Sequence, residues 1–300
     1  MGGLFQRIDI KMTTEKGQRL GFIDLLKVIL TVGIVFRHAE LVGMEGRSAA
    51  FDVFSQGMMG LTSICVPLFF VLSGFLYFYK VPGRPDAKYF LGKTRKRVFS
   101  LLIPYLIANG FAFLCYWVAY RYAPSMMSGF FGDDWKRPLF IFWTGPVNMS
   151  LWFIRDLIIA CLMAPLFYLL VRYTRIWGVL ALAAVWIFIG GSHWYNLWFA
   201  IGAWAAVCQG DLFARWIGRI RCRVPAQAAA WCFFIYLYHY LLVIALKKML
   251  VAALDPASFW TLLGVYLGAA SVTLAVLTGL FLLMKELLPK TTGILVGGKL

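Results

Sequence analysis

The stretch "FIDLLKVILTVGIVFRHAELVG", residues 22–43, decides how the chain is read. It is apolar enough to enter a bilayer and long enough to cross one, since about 20 helical residues span the hydrocarbon core. It nevertheless carries Asp24, Lys27, Arg37, His38 and Glu40. At about 100° per residue, Asp24, Lys27, Thr31 and His38 fall on one stripe of the helix. Lys27 and His38 then stack roughly 16 Å apart along its axis. Charges at this depth are expensive unless they face a bundle interior or a wet cavity. Snorkelling pairs, Asp24 with Lys27 and Arg37 with Glu40, account for four of these ionisable groups. They leave His38, which exchanges protons near neutral pH and is the first candidate for chemistry.

The rest of the chain has the same character. Of 300 residues, 62% are hydrophobic and 14% charged, and the mean hydropathy is +0.78. Apolar runs of bilayer length recur throughout, too continuous for the alternating strands of a membrane barrel. This predicts an all-α, polytopic transmembrane bundle forming a single membrane domain over 1–300. Hydropathy places eight spans at 21–42, 58–79, 98–122, 150–171, 176–191, 194–209, 226–249 and 259–284. The fifth and sixth are short and are separated by Gly190, Gly191 and Ser192, as in a tight hairpin or partly re-entrant helices.

Charge tests this layout. With these spans, and counting Arg121, Lys247 and Lys248 with the side at which their spans end, 20 of the 29 Lys and Arg residues fall on one side and six on the other, with Lys27, Arg37 and Arg155 deeper inside spans. Both termini are therefore expected in the cytoplasm. The net charge of +16 follows from that asymmetry and requires no nucleic-acid partner. The polar segment 1–20 lacks a short apolar core with a cleavage site, so the first helix is expected to be a retained signal anchor. The 123–149 loop, rich in aromatics, Gly and Pro, is expected outside, either resting on the membrane or capping a site. The six cysteines show no CxxC pair and no zinc spacing, and neither metal nor redox chemistry is expected of them.

Further stretches converge on the first helix. "VPLFFVLSGFLYFY" (66–79) brings Ser73 and Gly74 toward the cytoplasmic side, where glycine permits close approach. "KTRKRVFSLLIPYL" (93–106) sets Lys93, Arg95, Lys96 and Arg97 at the inner surface. That cluster is either topogenic or a receptor for a phosphorylated cytosolic ligand. "LWFIRDLIIACLMAPLF" (151–167) carries Arg155 and Asp156 to the depth of His38. "FFIYLYHYLLVIALKK" (233–248) puts Tyr236 and His239 on one face at spacing three. The outer half of the bundle can thus gather His38, Arg155, Asp156, Tyr236 and His239.

These stretches, in this order and with "LLPKTTGILVGGK" (287–299), resemble the acyltransferase-3 family of bacterial integral-membrane acyltransferases. The resemblance implies transfer of an acetyl or other short acyl group from cytosolic acyl-CoA, without a tightly bound cofactor. The acceptor it implies is a hydroxyl of an envelope glycan or lipid-linked saccharide, and the location the bacterial inner membrane. By motif, His38 resembles the family's essential first-helix histidine. Lys27 stands where many members have arginine, and lacks the bidentate fork. Arg95 and Arg97 match the basic cluster, Ser73 the Ser-Gly motif, and Trp152 and Arg155 the "LWF" block. Members commonly have about ten helices against eight here, the shortfall lying near residues 210–226.

The chemistry that follows has acyl-CoA phosphates on Lys93, Arg95 and Arg97, and the pantetheine arm passing Ser73 and Lys27. His38 acts as general base, oriented by a carboxylate such as Asp156 or Glu40. Ser73, Asn109 or Arg155 are donors to the oxyanion, and Trp152, Tyr236 and His239 line the acceptor pocket. The alternative is a proton-coupled secondary transporter of a small anion, with His38 as relay and Lys27 as anion site. Against that alternative, the halves show neither a repeat nor matched broken helices.

Overall fold

The computed structural model describes residues 21–41, 48–122, 145–189, 195–220 and 224–299. The expectations for segment 1–20, for most of the 123–149 loop, for the turn at 190–192 and for Cys222 lie outside the described residues. Every regular element among the described residues is helical. Helix α1 (Gly21–His38) is followed by α2 (Ala49–Ser63) and α3 (Cys65–Phe78), which run nearly end to end, and by α4 (Ala87–Tyr122). A 3₁₀ turn at Met149–Leu151 leads into α5 (Trp152–Leu162), α6 (Ala164–Thr174) and α7 (Ile176–Ile189). Then come α8 (Tyr195–Arg219), α9 (Ala228–Leu254), α10 (Phe259–Leu287) and the short α11 (Pro289–Leu295).

Four stretches are long and apolar enough to cross a membrane: Ala49–Phe78, α4, α9 and α10. The bent pair α5–α6 makes a fifth if taken as one span. On α4, Phe99, Ile103, Leu106, Ile107, Phe111 and Leu114 are exposed, while Leu101, Tyr105, Ala108, Asn109 and Ala112 are buried. Large apolar side chains facing outward, with Asn109 turned inward, is the pattern lipid selects, not water. Over the described residues this is an all-helical membrane protein.

Several boundaries differ from the expected spans, among them α8, which runs to Arg219 rather than 209, and α9, which runs to Leu254 rather than 249. The second span begins at Ala49 rather than 58, because Phe51 is fully buried against Phe54 and Phe259 despite its polar neighbours Asp52, Ser55 and Gln56. The third begins at Ala87 rather than 98, so most of the expected inner loop is helix, and 36 residues give α4 a length of about 54 Å. The expected span 150–171 is broken at Met163, where α5 and α6 meet at a 61° bend. Pro165 causes the break, since it has no N–H to donate and its ring crowds the carbonyl four residues back.

Helix α1 is the seam between two cores. Leu30 and Ile34 join the core built with α3, α4, α5 and α8, whereas Val35 and Ala39 join the one built with α9, α10 and Phe51. Helices α3 and α8 cross at backbone contact. A Cβ on Gly74 would strike the Phe199 carbonyl, and one on Gly202 would strike the Val71 carbonyl and lie 2.7 Å from the Phe75 nitrogen. Only glycine allows that approach, as at membrane helix crossings generally.

Gly202→Val is therefore expected to lower the thermal unfolding midpoint in detergent, with a cost of about 2 kcal/mol or more from overpacking. Gly210→Ala, on the same helix with open space around its Cα, is expected to leave the midpoint unchanged or slightly raised.

Candidate active site

A cavity of about 410 Å³ opens between α1, α3, α4, α5 and α9 at the end of the bundle where the 79–86 turn and α11 lie. Its cationic part comes from Lys27, Lys93, Lys96, Arg97 and Lys299. Its deeper wall is apolar: Phe69, Leu72, Phe153, Ile154, Leu157 and Phe233. Lys27 pairs with Asp24 at 2.9 Å, the i, i+3 contact expected from sequence. Lys93 donates to the Tyr89 hydroxyl at 3.1 Å and sits 5.2 Å from the Tyr77 ring centroid. The Tyr77 hydroxyl is held 2.6 Å from Thr94. Lys299 arrives from beyond α11, with Nζ 2.9 Å from the centroid of the Phe233 ring. Burial pushes the Lys299 ammonium well below its ordinary 10.5, and the like charges of Arg97 and Lys27 push it further.

Helical periodicity explains which basic residues face inward. On α4, positions 93, 96, 97 and 100 share one face, and all line the cavity. Arg95 lies about 200° from Lys93 around the helix. It is exposed, with Cζ 6.0 Å from the Phe99 ring, and does not line the cavity. The basic run reads as one cluster only until it is wound into a helix.

A second cluster occupies the opposite end of α1. The His38 ring lies 5.2 Å from that of His239 and 5.1 Å from that of Tyr240, centroid to centroid. His239 Nδ1 is 2.9 Å from the Tyr236 carbonyl and 3.1 Å from that of Ile235. Both are acceptors, so Nδ1 carries the proton and the lone pair of the neutral ring lies on Nε2. That Nε2 is buried and has no hydrogen-bond partner. Lys247 Nζ donates to the carbonyls of Glu40 at 2.5 Å and His38 at 3.3 Å, capping the end of α1. Ser55 donates to the Glu40 carboxylate, and Arg37 to the Met59 carbonyl at 2.9 Å.

Tyr236 connects the two regions. It lines the cavity, packs 5.4 Å from Phe153, and lies 5.8 Å from His239 on its other side. Its hydroxyl donates to the Ser150 carbonyl. The neighbouring Asn148 bonds Leu237 of α9 and Asn109 of α4, so Asn109 serves there as an acceptor. Of the residues expected at the site, the cavity thus gathers Lys27, Ser73, Lys93, Arg97 and Tyr236. His38 and His239 stand beyond it. Arg155 and Asp156 pair with each other at 2.9 Å on α5, and Trp152 packs against the main core, all outside the cavity lining. Lys247 and Lys299 are missed from sequence. Lys247 is eight positions after His239 and so on the same helical face, and Gly297-Gly298 signals a sharp turn before Lys299.

The family model described as an acyltransferase domain, acyltransferase-3, matches residues 20–213. The chain belongs to the acyltransferase-3 family. That match contains α1 to most of α8, hence His38, the cavity cations of α1 and α4, and the Arg155–Asp156 pair. A relative, the succinoglycan biosynthesis protein ExoH of Rhizobium meliloti strain 1021, is 33% identical over 177 residues. The alignment covers 54% of this chain and 46% of ExoH, so the chain spans about half the length of that relative. No solved structure matches.

In this acyltransferase-3 protein the Tyr236 hydroxyl fixes the wall between cavity and histidines. Tyr236→Phe is expected to cost about 1–3 kcal/mol by leaving the buried Ser150 carbonyl without its donor, read as a lower unfolding midpoint in detergent.

Proposed function

We propose that the protein is a multi-pass O-acyltransferase of the bacterial cytoplasmic membrane, with eight spans and both termini in the cytoplasm. It moves an acetyl or other short acyl group from acyl-CoA to a hydroxyl of a cell-envelope saccharide. The observation that carries this reading is the cavity, with a cationic part and an apolar wall that includes Tyr236, the residue beside His239. A nucleotide bearing phosphates suits the cationic part, and a thin pantetheine arm suits the apolar wall. Membership of the acyltransferase-3 family supports acyl transfer, and the likeness to a succinoglycan biosynthesis protein supports a saccharide acceptor.

In this mechanism the phosphates bind Lys93, Lys96 and Arg97, and the arm passes Ser73 and Lys27. From Thr31, which lines the cavity, to His38 is about 10 Å along α1, so the arm has to reach past the level of Tyr236. His38 takes the proton of the acceptor hydroxyl as its oxygen attacks the thioester carbonyl. The tetrahedral intermediate then expels the thiolate, which leaves with the proton carried by His38. His239 is better placed than a carboxylate to orient His38. Asp156 is engaged by Arg155 and Glu40 by Ser55, whereas the unpartnered lone pair of His239 is free for an N–H of its neighbour. A nitrogen of His38 thereby stays unprotonated to act as base.

Transfer of label from radioactive acetyl-CoA in inverted vesicles tests the reading. His38→Ala, at matched expression, is expected to reduce labelling of the glycan or lipid fraction by about 10² to 10⁴. Equal labelling by parent and variant would remove His38 from catalysis. No labelling by the parent, with proton-coupled uptake of a small anion instead, would replace the acyltransferase by a transporter.

A further inference from the structure

We propose that Lys299 is a ligand for the phosphates of the anionic donor, and that the segment 289–299 and helix α4 clasp the donor between them. This rests on the acyl-CoA reading of the same cavity and extends it to a residue outside the stretch matched by the family model.

The segment is built to deliver one side chain. Pro289 starts α11 immediately after α10 ends, so the chain turns at once. Thr292 is fully buried and donates to the carbonyls of Met284 at 2.8 Å and Leu288 at 2.9 Å, capping the end of α10. Val296 is also fully buried and locks the far end of α11 into the second core. Beyond it Gly297 and Gly298 have φ of +65° and +73°, the left-handed conformation that glycine adopts without penalty. Their N–H groups donate to Ile294 at 3.1 Å and Gly293 at 2.8 Å. Gly297 is also pressed on the Ser100 carbonyl of α4, where a Cβ would collide. This turn aims Lys299 into the cavity beside Phe233.

Charge then identifies the ligand class. Lys299 enters a space already lined by Lys27, Lys93, Lys96 and Arg97. Asp24 is engaged by Lys27, and the partners of Lys93 are a hydroxyl and two aromatic rings. An ammonium placed against like charges and an aromatic ring gains only if a multivalent anion joins it. A neutral saccharide has no use for five cations, whereas the phosphates of a nucleotide donor do. The two sides of the clasp meet the anion from different helices, α4 with Lys93, Lys96 and Arg97, and the 289–299 segment with Lys299.

The test is binding of coenzyme A, and of pantetheine as the probe without phosphates, to the purified full-length protein in detergent by calorimetry. Lys299→Gln is expected to weaken coenzyme A about tenfold or more and to leave pantetheine unchanged, with Lys299→Arg restoring most of the affinity. The recovery with arginine separates lost charge from a loosened segment, and unfolding midpoints in the same detergent verify that the variants are folded. If Lys299→Gln binds coenzyme A as the parent does while Arg97→Gln loses it, the inference is overturned and the acyl-CoA reading stands. If Lys299→Gln weakens both probes alike, or arginine restores nothing, Lys299 is structural and the inference is likewise overturned. If the parent itself does not bind coenzyme A, the reading of the cavity fails and the inference fails with it.

Discussion

The contact of α3 with α8 through Gly74 and Gly202 is the constraint on which the remaining architecture depends. Two helices whose backbones touch leave no room for side chains between them, so the neighbours of each glycine must face elsewhere. Ser73, Leu72, Leu76 and Tyr77 turn into the cavity as a result, while Phe199 packs against Tyr77 and Phe78 behind it. The cavity wall is rigid because it is backed by backbone rather than by adaptable side chains. Within a membrane, where burial of apolar surface between helices gives little net gain, such close packing is the main source of fixed geometry.

Helix α1 then resolves the problem posed by its own charges. Placed at the seam of two cores, it has no face wholly given to lipid over the stretch that carries Lys27, Thr31 and His38. Its lower polar groups meet a cavity, and its upper ones meet α2 and α9. The price of ionisable groups at membrane depth is avoided by enclosure, and enclosure is also what a reaction needing protection from water requires.

The family, the helical class and most helix positions were legible because they depend on hydropathy and on short motifs. What escaped the sequence depends on neighbours. The early start of α2 follows from Phe51 finding Phe259, some 200 residues away, which a window average over Asp52 and Gln56 conceals. The break at Met163 was readable in Pro165, but apolar continuity outweighed it. The run Lys93, Arg95, Lys96 and Arg97 divides only once helix extends down to Ala87, because a loop has no faces to divide it. The pairing of His38 with His239 could be placed by depth, since both lie at similar levels of outward-running or returning helices. The choice of imidazole over carboxylate as its neighbour could not, since it depends on the rotation of α9 about its axis.

The ammonium of Lys247 has a consequence for the order in which the protein is made. It caps carbonyls at the end of α1 from a position 209 residues later in the chain than His38. During synthesis those carbonyls and the neighbouring histidine stay unaccompanied until His239 and Lys247 have been translated. This end of α1 is therefore finished only after α9 has been made. Its lower half likewise waits for α9 and Lys299 to complete the walls beside Lys27, so both ends of one helix are closed by residues far later in the sequence.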